Sequence, residues 1–178
     1  LYYEGKTNKG NPDLKPEESE AFEVGLKYNT YFLRAHIAGF YRKGKNMIDW
    51  VKEKPEDIWE SQNLTKVDNL GFETNLSLLP RELGNERFFI RKIELGYAFI
   101  HQDKDSEGYI SNYALDYLKH KFTAQLSHSI WKGFSATWYV RWQDRAGSYT
   151  KYENLKLAYE EPYAPYCLVD MKVNWEYQ

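Results

Sequence analysis

Cysteine is nearly missing from this 178-residue chain. Cys167 stands alone, which excludes an intrachain disulfide framework and a cysteine-rich zinc site. Long apolar runs are missing too, and nothing approaches the ~18 consecutive apolar residues that a membrane helix needs. Nor is there an excess of one sign of charge. Lys plus Arg number 24 and Asp plus Glu 26, with a formal net charge of −2 and a pI of about 6.1. A nucleic-acid partner is therefore not expected, because its basic footprint would be a domain pI above ~9. Aliphatic residues are scarce. Leu, Ile, Val and Phe together fill 40 positions, barely above the ~20% share below which disorder becomes the default. Rings are abundant instead: 16 Tyr, 9 Phe and 6 Trp, far too many for a disordered polymer. Leu1 to Lys6 show no charged stretch leading into an apolar core, and no initiator Met precedes them. A mature or excised piece without a signal peptide is the expectation.

The periodicity is two almost throughout. After Gly10-Asn11-Pro12-Asp13-Leu14-Lys15-Pro16-Glu17, where two prolines exclude a strand or helix interior, Phe22, Val24, Leu26 and Tyr28 alternate with a mixed face. The pattern repeats at Leu33 to Tyr41, with Phe40 the imperfect position, and again at Leu70 to Leu78, Phe89 to Phe99, Leu118 to Ile130, Phe134 to Trp142 and Cys167 to Tyr177. Between these runs the connections alternate in length. Those at 29–30, 80–86 and 132–133 are short; those at 43–63, 102–116 and 144–165 are long and polar. No stretch has a helical period, so the fold expected is all-β, an antiparallel up-and-down meander of about seven long strands.

Two assignments of the faces fit this pattern. A soluble sandwich or barrel, binding a ligand inside, would turn its apolar faces inward. A transmembrane barrel would turn them to lipid and line a wet lumen with the charged faces. Strand length favours the second, since several runs reach the ~9–11 residues of a tilted membrane strand, whereas soluble strands most often have ~5–6. So does the placement of Tyr28, Tyr41, Trp131, Trp142, Trp175 and Tyr177 near strand ends, where amphipathic rings form girdles. Arg91, His120 and His128 also lie near the ends of their apolar faces.

The run Asn11-Pro12-Asp13-Leu14-Lys15-Pro16-Glu17, followed by Glu23-Val24-Gly25-Leu26-Lys27-Tyr28, resembles a segment of TonB-dependent outer-membrane receptors, in which an N-P-x-L-x-P-E loop leads into an E-x-G-x-K/E-Y strand. Phe40-Tyr41-Arg42 and Asn69-Leu70-Gly71-Phe72-Glu73 are similar to the strands that follow it in that family. The resemblance implies a fragment, residues 1–178, of the C-terminal part of a 22-stranded barrel, with the plug and the last strands absent. It implies residence in the bacterial outer membrane as a multi-pass barrel, with outer-membrane lipid as a partner and the TonB complex reached through the absent plug. An open seven-stranded sheet would have two unpaired edges, so such a fragment taken alone is expected to aggregate or to pair with copies of itself. The function implied is active import of a scarce large solute of the siderophore, haem or cobalamin type; a passive porin or secretion barrel is the alternative on a similar wall.

The same resemblance places the long loops outside the cell. Their rings, Trp50, Trp59, Tyr109, Tyr113, Tyr149, Tyr152, Tyr159 and Tyr163, are the candidate ligand-binding residues, since rings with a polar edge suit a large, partly apolar solute. Asp103, Asp105 and Glu107 repeat the alternate-oxygen spacing of a calcium loop, but position twelve is Ala114, so the bidentate ligand is missing. The four histidines never fall at metal-ligand spacing with carboxylates, and no cofactor is expected. Asn63-Leu64-Thr65 and Asn75-Leu76-Ser77 match the glycosylation pattern, which has no meaning in a bacterial reading. Ser127 and Ser129 face away from His128 on a strand, so no nucleophile–base pair forms there and no catalysis is expected.

Overall fold

The computed structural model describes residues 5–84, 88–105, 108–111, 117–153 and 156–176, with the side chains of 64, 65, 150, 152, 153 and 156–160 not described. Strand β1 is Asn8–Lys9, β2 Glu18–Asn29, β3 Leu33–Lys52 and β4 Trp59–Leu78. A 3-10 turn, Pro80–Leu83, closes on Gly84 at φ 94° and leads to β5, Ile90–Asp105. Then come β6 Ile110–Ser111, β7 Leu118–Trp131, β8 Phe134–Arg145, β9 Ser148–Glu153, β10 Lys156–Pro162 and β11 Tyr166–Trp175. The long strands form one antiparallel sheet in the order β11-β8-β7-β5-β4-β3-β2. That is the meander of seven strands expected from the period-two runs, with β2 and β11 as its edges.

Register separates the two faces cleanly. Tyr28, Ala35, Leu76, Leu95, Ala124, Val140 and Val169 form one row across all seven strands. The adjacent row, on the opposite face because successive side chains alternate, reads Lys27, His36, Asn75, Gly96, Thr123, Arg141 and Leu168. The sheet curls with this polar face inward: Lys27 and Arg34 at one side and Arg141 and Asp170 at the other line a single groove of about 670 Å³.

The apolar face lies outside, and among the described residues nothing covers it. Val24 is 76% exposed, Leu26 74% and Val169 60%; Leu95, Trp138 and Val173 are exposed as well. Among the described residues the buried hydrophobics are only Ala38, Val51, Val67 and Ala136. A water-soluble domain of this size would bury its Leu, Phe and Trp side chains against one another. This sheet does not, which removes the soluble barrel or sandwich reading. The apolar belt ends sharply toward the long loops. Beyond the row of Phe22, Tyr41, Leu70 and His101, the same outer face carries Lys43, Asp68 and Asp103, then Lys45, Lys66 and Asp105. At that border Tyr41 donates its hydroxyl to Asp68, 2.9 Å away, its ring on the apolar side and its oxygen on the wet side. Toward the short turns Trp131, Phe134 and Trp175 are exposed on the same face, as a second girdle requires; Tyr177 lies outside the described residues.

Besides His101 at its border, two histidines interrupt this face, each joined to an aromatic partner. The Tyr97 hydroxyl lies 2.8 Å from His120 Nδ1. Trp138 Nε1 donates to His128 Nε2 at 3.1 Å; because an indole N–H can only donate, Nε2 accepts and the His128 proton is on Nδ1, 3.1 Å from the Ser129 carbonyl. Arg91 departs from its expected place. The register shifts between Ile90 and Lys92, so that Ile90 opposes His128 and Lys92 opposes Ser127. This bulge turns Arg91 away from the apolar face, and its Nε donates to Ser129 on the polar side.

Candidate functional site

The end of the sheet with the long connections is more ordered than a run of polar loops suggests. Residues 43–63 read as a turn-rich segment, yet β3 continues to Lys52 and β4 begins at Trp59, leaving a tip of six residues around Pro55. This hairpin rises past the neighbouring strands: β2 stops pairing with β3 at Lys45, and β5 stops pairing with β4 at Lys66. Its two free edges are taken by short pieces of the adjoining loops. β1 pairs parallel to β4, Asn8 with Trp59 and Lys9 with Glu60. β6 pairs with β3, Val51 with Ser111 and Lys52 with Ile110. Lys9 Nζ and Glu60 Oε1 reinforce the first pairing at 2.9 Å, and that bond holds the Glu60 carboxyl below its usual range.

The Asn-Pro motif gains a physical reading here. Asn11 Oδ1 accepts from the Asp13 amide at 2.9 Å, an Asx turn. The Lys15 backbone is then gripped at both ends by Asn63, whose Oδ1 accepts from the Lys15 amide at 2.8 Å and whose Nδ2 donates to the Lys15 carbonyl at 2.9 Å. Asn63 Nδ2 also reaches the Asn46 carbonyl at 2.6 Å. Glu17 Oε1 accepts from the Ile48 amide at 2.8 Å, just where β2 no longer supplies a partner. The motif is a strap that ties the chain before β2 to the raised hairpin.

Under the strap and β6 lies a small polar core. Asp49 and Ser61 are buried. Asp49 Oδ1 accepts from the Trp50 amide at 2.7 Å, and Oδ2 accepts from the Ser111 hydroxyl. Lys104 reaches in from β5, its side chain 6% exposed, with Nζ 4.0 Å from Asp49 Oδ2 and no hydrogen-bond acceptor. Burial pulls the pKa of this ammonium below its ordinary value, and the Asp49 charge only partly opposes the shift. Sequence reading gave no such role to Asn63, Asp49, Lys104 and Ser111, whose partners lie 17 to 62 positions away; the only local signal was the break in strand pattern around Pro55.

The expected ring residues fall into two separate groups. Trp50 and Trp59 stand on the raised hairpin, both half-buried, and Lys52 Nζ lies 4.6 Å over the Trp59 ring. Tyr149 and Tyr163 flank the β9–β10 ribbon with ring centroids 5.7 Å apart, and the Arg145 guanidinium covers Tyr163 at 4.9 Å. Hydrogen bonds from Tyr149 and then Lys151 hold the Glu161 carboxyl below its usual range. Among the described residues that ribbon forms a two-stranded sheet of its own. Tyr152 and Tyr159 are placed by backbone alone, opposite Leu157 and Lys151. Tyr109 is half-buried just before β6, and Tyr113 lies outside the described residues. The two groups are thus cation-capped clusters on two projecting hairpins, not one joined aromatic surface. Of the calcium-type residues, Asp103 and Asp105 are still within β5, opposite Asp68 and Lys66, and Glu107 is outside the described residues.

A curled antiparallel sheet with a bare apolar exterior, a charged interior and hairpins projecting from one end is a section of membrane β-barrel wall. A family model described as TonB dependent receptor-like, beta-barrel, matches residues 1–178, and the chain belongs to that family. It is 28% identical over 105 residues to the vitamin B12 transporter BtuB of Vibrio vulnificus, an overlap covering 51% of this chain and 17% of that protein. It is 26% identical over 133 residues to the BtuB of Photobacterium profundum, covering 71% and 21%. Its structure superposes on the FrpB iron transporter of Neisseria meningitidis (F5-1 variant) with a TM-score of 0.66 at 16% identity, covering 97% of this chain and 27% of that one. On the copper transporter OprC the TM-score is 0.65 at 16% identity, covering 94% and 24%. A mutant of the ferric enterobactin receptor PfeA from Pseudomonas aeruginosa gives 0.64 at 19%, covering 96% and 25%. These superpositions speak to the fold. The alignments cover about a fifth of the curated relatives and a quarter of the solved chains.

Proposed function

We propose that these residues form barrel wall and outer loops of an outer-membrane receptor that imports a scarce large solute, siderophore-bound iron, haem or cobalamin, by TonB-coupled gating. They would be part of the C-terminal portion of a 22-stranded barrel, and the plug that contacts the TonB complex would lie elsewhere in the receptor. The observation that carries this reading is the inversion of the faces, apolar outward and uncovered, charged inward. The relatives named as vitamin B12, iron, copper and enterobactin proteins support a transport role and leave the cargo open.

In this role the wall performs no chemistry. The outer membrane has no ATP, so capture and release must be separated: loops hold the solute by surface complementarity, and work done on the plug opens the lumen. Trp50, Trp59, Tyr109, Tyr113, Tyr149, Tyr152, Tyr159 and Tyr163 are the proposed capture residues. Rigid rings lose little entropy on binding. The test is uptake of ferric siderophores, haem and cobalamin by cells producing the whole receptor, with and without a working TonB complex. Saturable uptake of one solute that vanishes without TonB is expected. Replacing Trp59 or Tyr163 by Ala should weaken its binding by ~1–2 kcal/mol. Uptake that is unsaturable and indifferent to TonB would overturn the importer in favour of a passive channel.

A further inference from the structure

At the end of the sheet with the short turns, two arginines converge on one hydroxyl. Arg81, on the 3-10 turn, points Nη2 to Ser129 Oγ at 2.6 Å, while its Nε donates to the Phe88 carbonyl at 3.0 Å. Arg91, turned inward by the β5 bulge, donates Nε to the same Ser129 oxygen at 3.0 Å. A serine oxygen has two lone pairs and one proton. Both lone pairs are filled by guanidinium N–H groups, so the hydroxyl can only donate outward. Among the described residues, the remaining N–H groups of both guanidinium forks have no acceptor. The result is a set of donors around one point: two positive charges, a hydroxyl proton and, among the described residues, no carboxylate bonded to either arginine. The nearest acid along β5, Glu94, is engaged by Lys92 at 2.9 Å, and Glu82 on the turn bonds to neither arginine.

Two guanidinium ions drawn this close repel each other, and a shared neutral hydroxyl does not offset that repulsion. An oxyanion does, because its several oxygens accept in parallel from two forks and from the hydroxyl. We propose that Arg81, Arg91 and Ser129 form a binding site for an oxyanion of the phosphate class at the periplasmic mouth of the wall. The site lies on the polar face, in register with Ser135. It adjoins a rim where Phe88, Phe89, Ile130 and Trp131 are exposed, so the phosphate could be a free ion in the lumen mouth or the headgroup of an anionic lipid at the rim. The chemistry recognised is the same.

The whole receptor, purified and placed in nanodiscs, tests this. Inorganic phosphate is titrated in phosphatidylcholine discs by calorimetry, and thermal stability is compared between discs with and without phosphatidylglycerol. Saturable phosphate binding, or a stability gain that requires phosphatidylglycerol, supports the site; the first arm identifies a free ion and the second a headgroup. R81Q and R91Q should each weaken the response at least tenfold. R91K, which keeps the charge but loses the fork, serves where a glutamine variant fails to assemble and should weaken it less than R91Q. If the wild type shows neither response, or if the variants respond like the wild type, the proposal is wrong.

Discussion

Phe40 breaks the alternation of β3 because it stands on the charged face, and Gly71 is what makes room for it. A Cβ on Gly71 would come within 2.5 Å of Phe40 Cζ and 2.5 Å of the Phe99 carbonyl oxygen. The ring lies on the bare backbone of the paired residue. Since backbone as well as ring must move, Gly71→Ala should cost ~1–3 kcal/mol, read as a lower urea midpoint for refolding the whole receptor into lipid. Lys104 makes a second prediction at this scale. Its pKa in the folded state lies below the unfolded value, so the unfolded chain binds the extra proton between the two. The brace it sits in therefore strengthens as pH rises through that window toward ~10.4 and is weakest below it. Hydrogen exchange of residues 46–63 should slow relative to its intrinsic rate as pH rises toward ~10.4, and Lys104→Met should remove that dependence while leaving protection at pH 7 equal or higher. Neither residue announces its role in the sequence. A phenylalanine out of phase reads as noise until its glycine partner across the sheet is known, and a lysine in a polar connection reads as solvated until a strand reaches it and a hairpin from elsewhere closes over it.

Among the elements, the period-two runs located all seven long strands, because each carries one face against hydrocarbon and one against water for its whole crossing. Where that contrast ends, so does the legibility. The upper parts of β3 and β4 have polar residues on both faces and are held by Asn63, Glu17, β1 and β6, none of which alters the local pattern. The bulge that moves Arg91 to the inner face is silent for the same reason: one extra residue shifts parity without changing composition. The strap makes a direct prediction. Asn63→Ala removes three hydrogen bonds, two of them to Lys15, at ~1 kcal/mol each. It should expose residues 5–17 to proteolysis well before any global unfolding, and Glu17→Gln should do so more mildly. Equal cleavage rates in wild type and N63A would show that the motif is held by something else.

For the whole molecule, the argument is one of solvents. A sheet of this size with, among the described residues, four small buried hydrophobics and a coat of exposed Leu, Val, Phe and Trp has no stable arrangement in water alone. With its outer surface in lipid the same sheet has no unmet requirement on that face. Its edges, β2 and β11, still need partners, since lipid offers backbone groups nothing to bond. Face, not composition, should then set tolerance to charge. Leu95→Arg, near the middle of the outer belt, should cost ~2–4 kcal/mol in the whole receptor, whereas Thr123→Arg on the inner face should cost far less.

Spin labels at Leu95, Glu94, Met171 and Asp170, placed one at a time in the whole receptor reconstituted in bilayers, measure the assignment of faces without intermediaries. Labels at Leu95 and Met171 should collide with dissolved oxygen and be shielded from a water-soluble nickel chelate. Those at Glu94 and Asp170 should not share the oxygen-rich signature of the lipid interior. If the two pairs exchange these signatures, or if all four labels meet the aqueous reagent alike, hydrocarbon does not lie where this structure puts it.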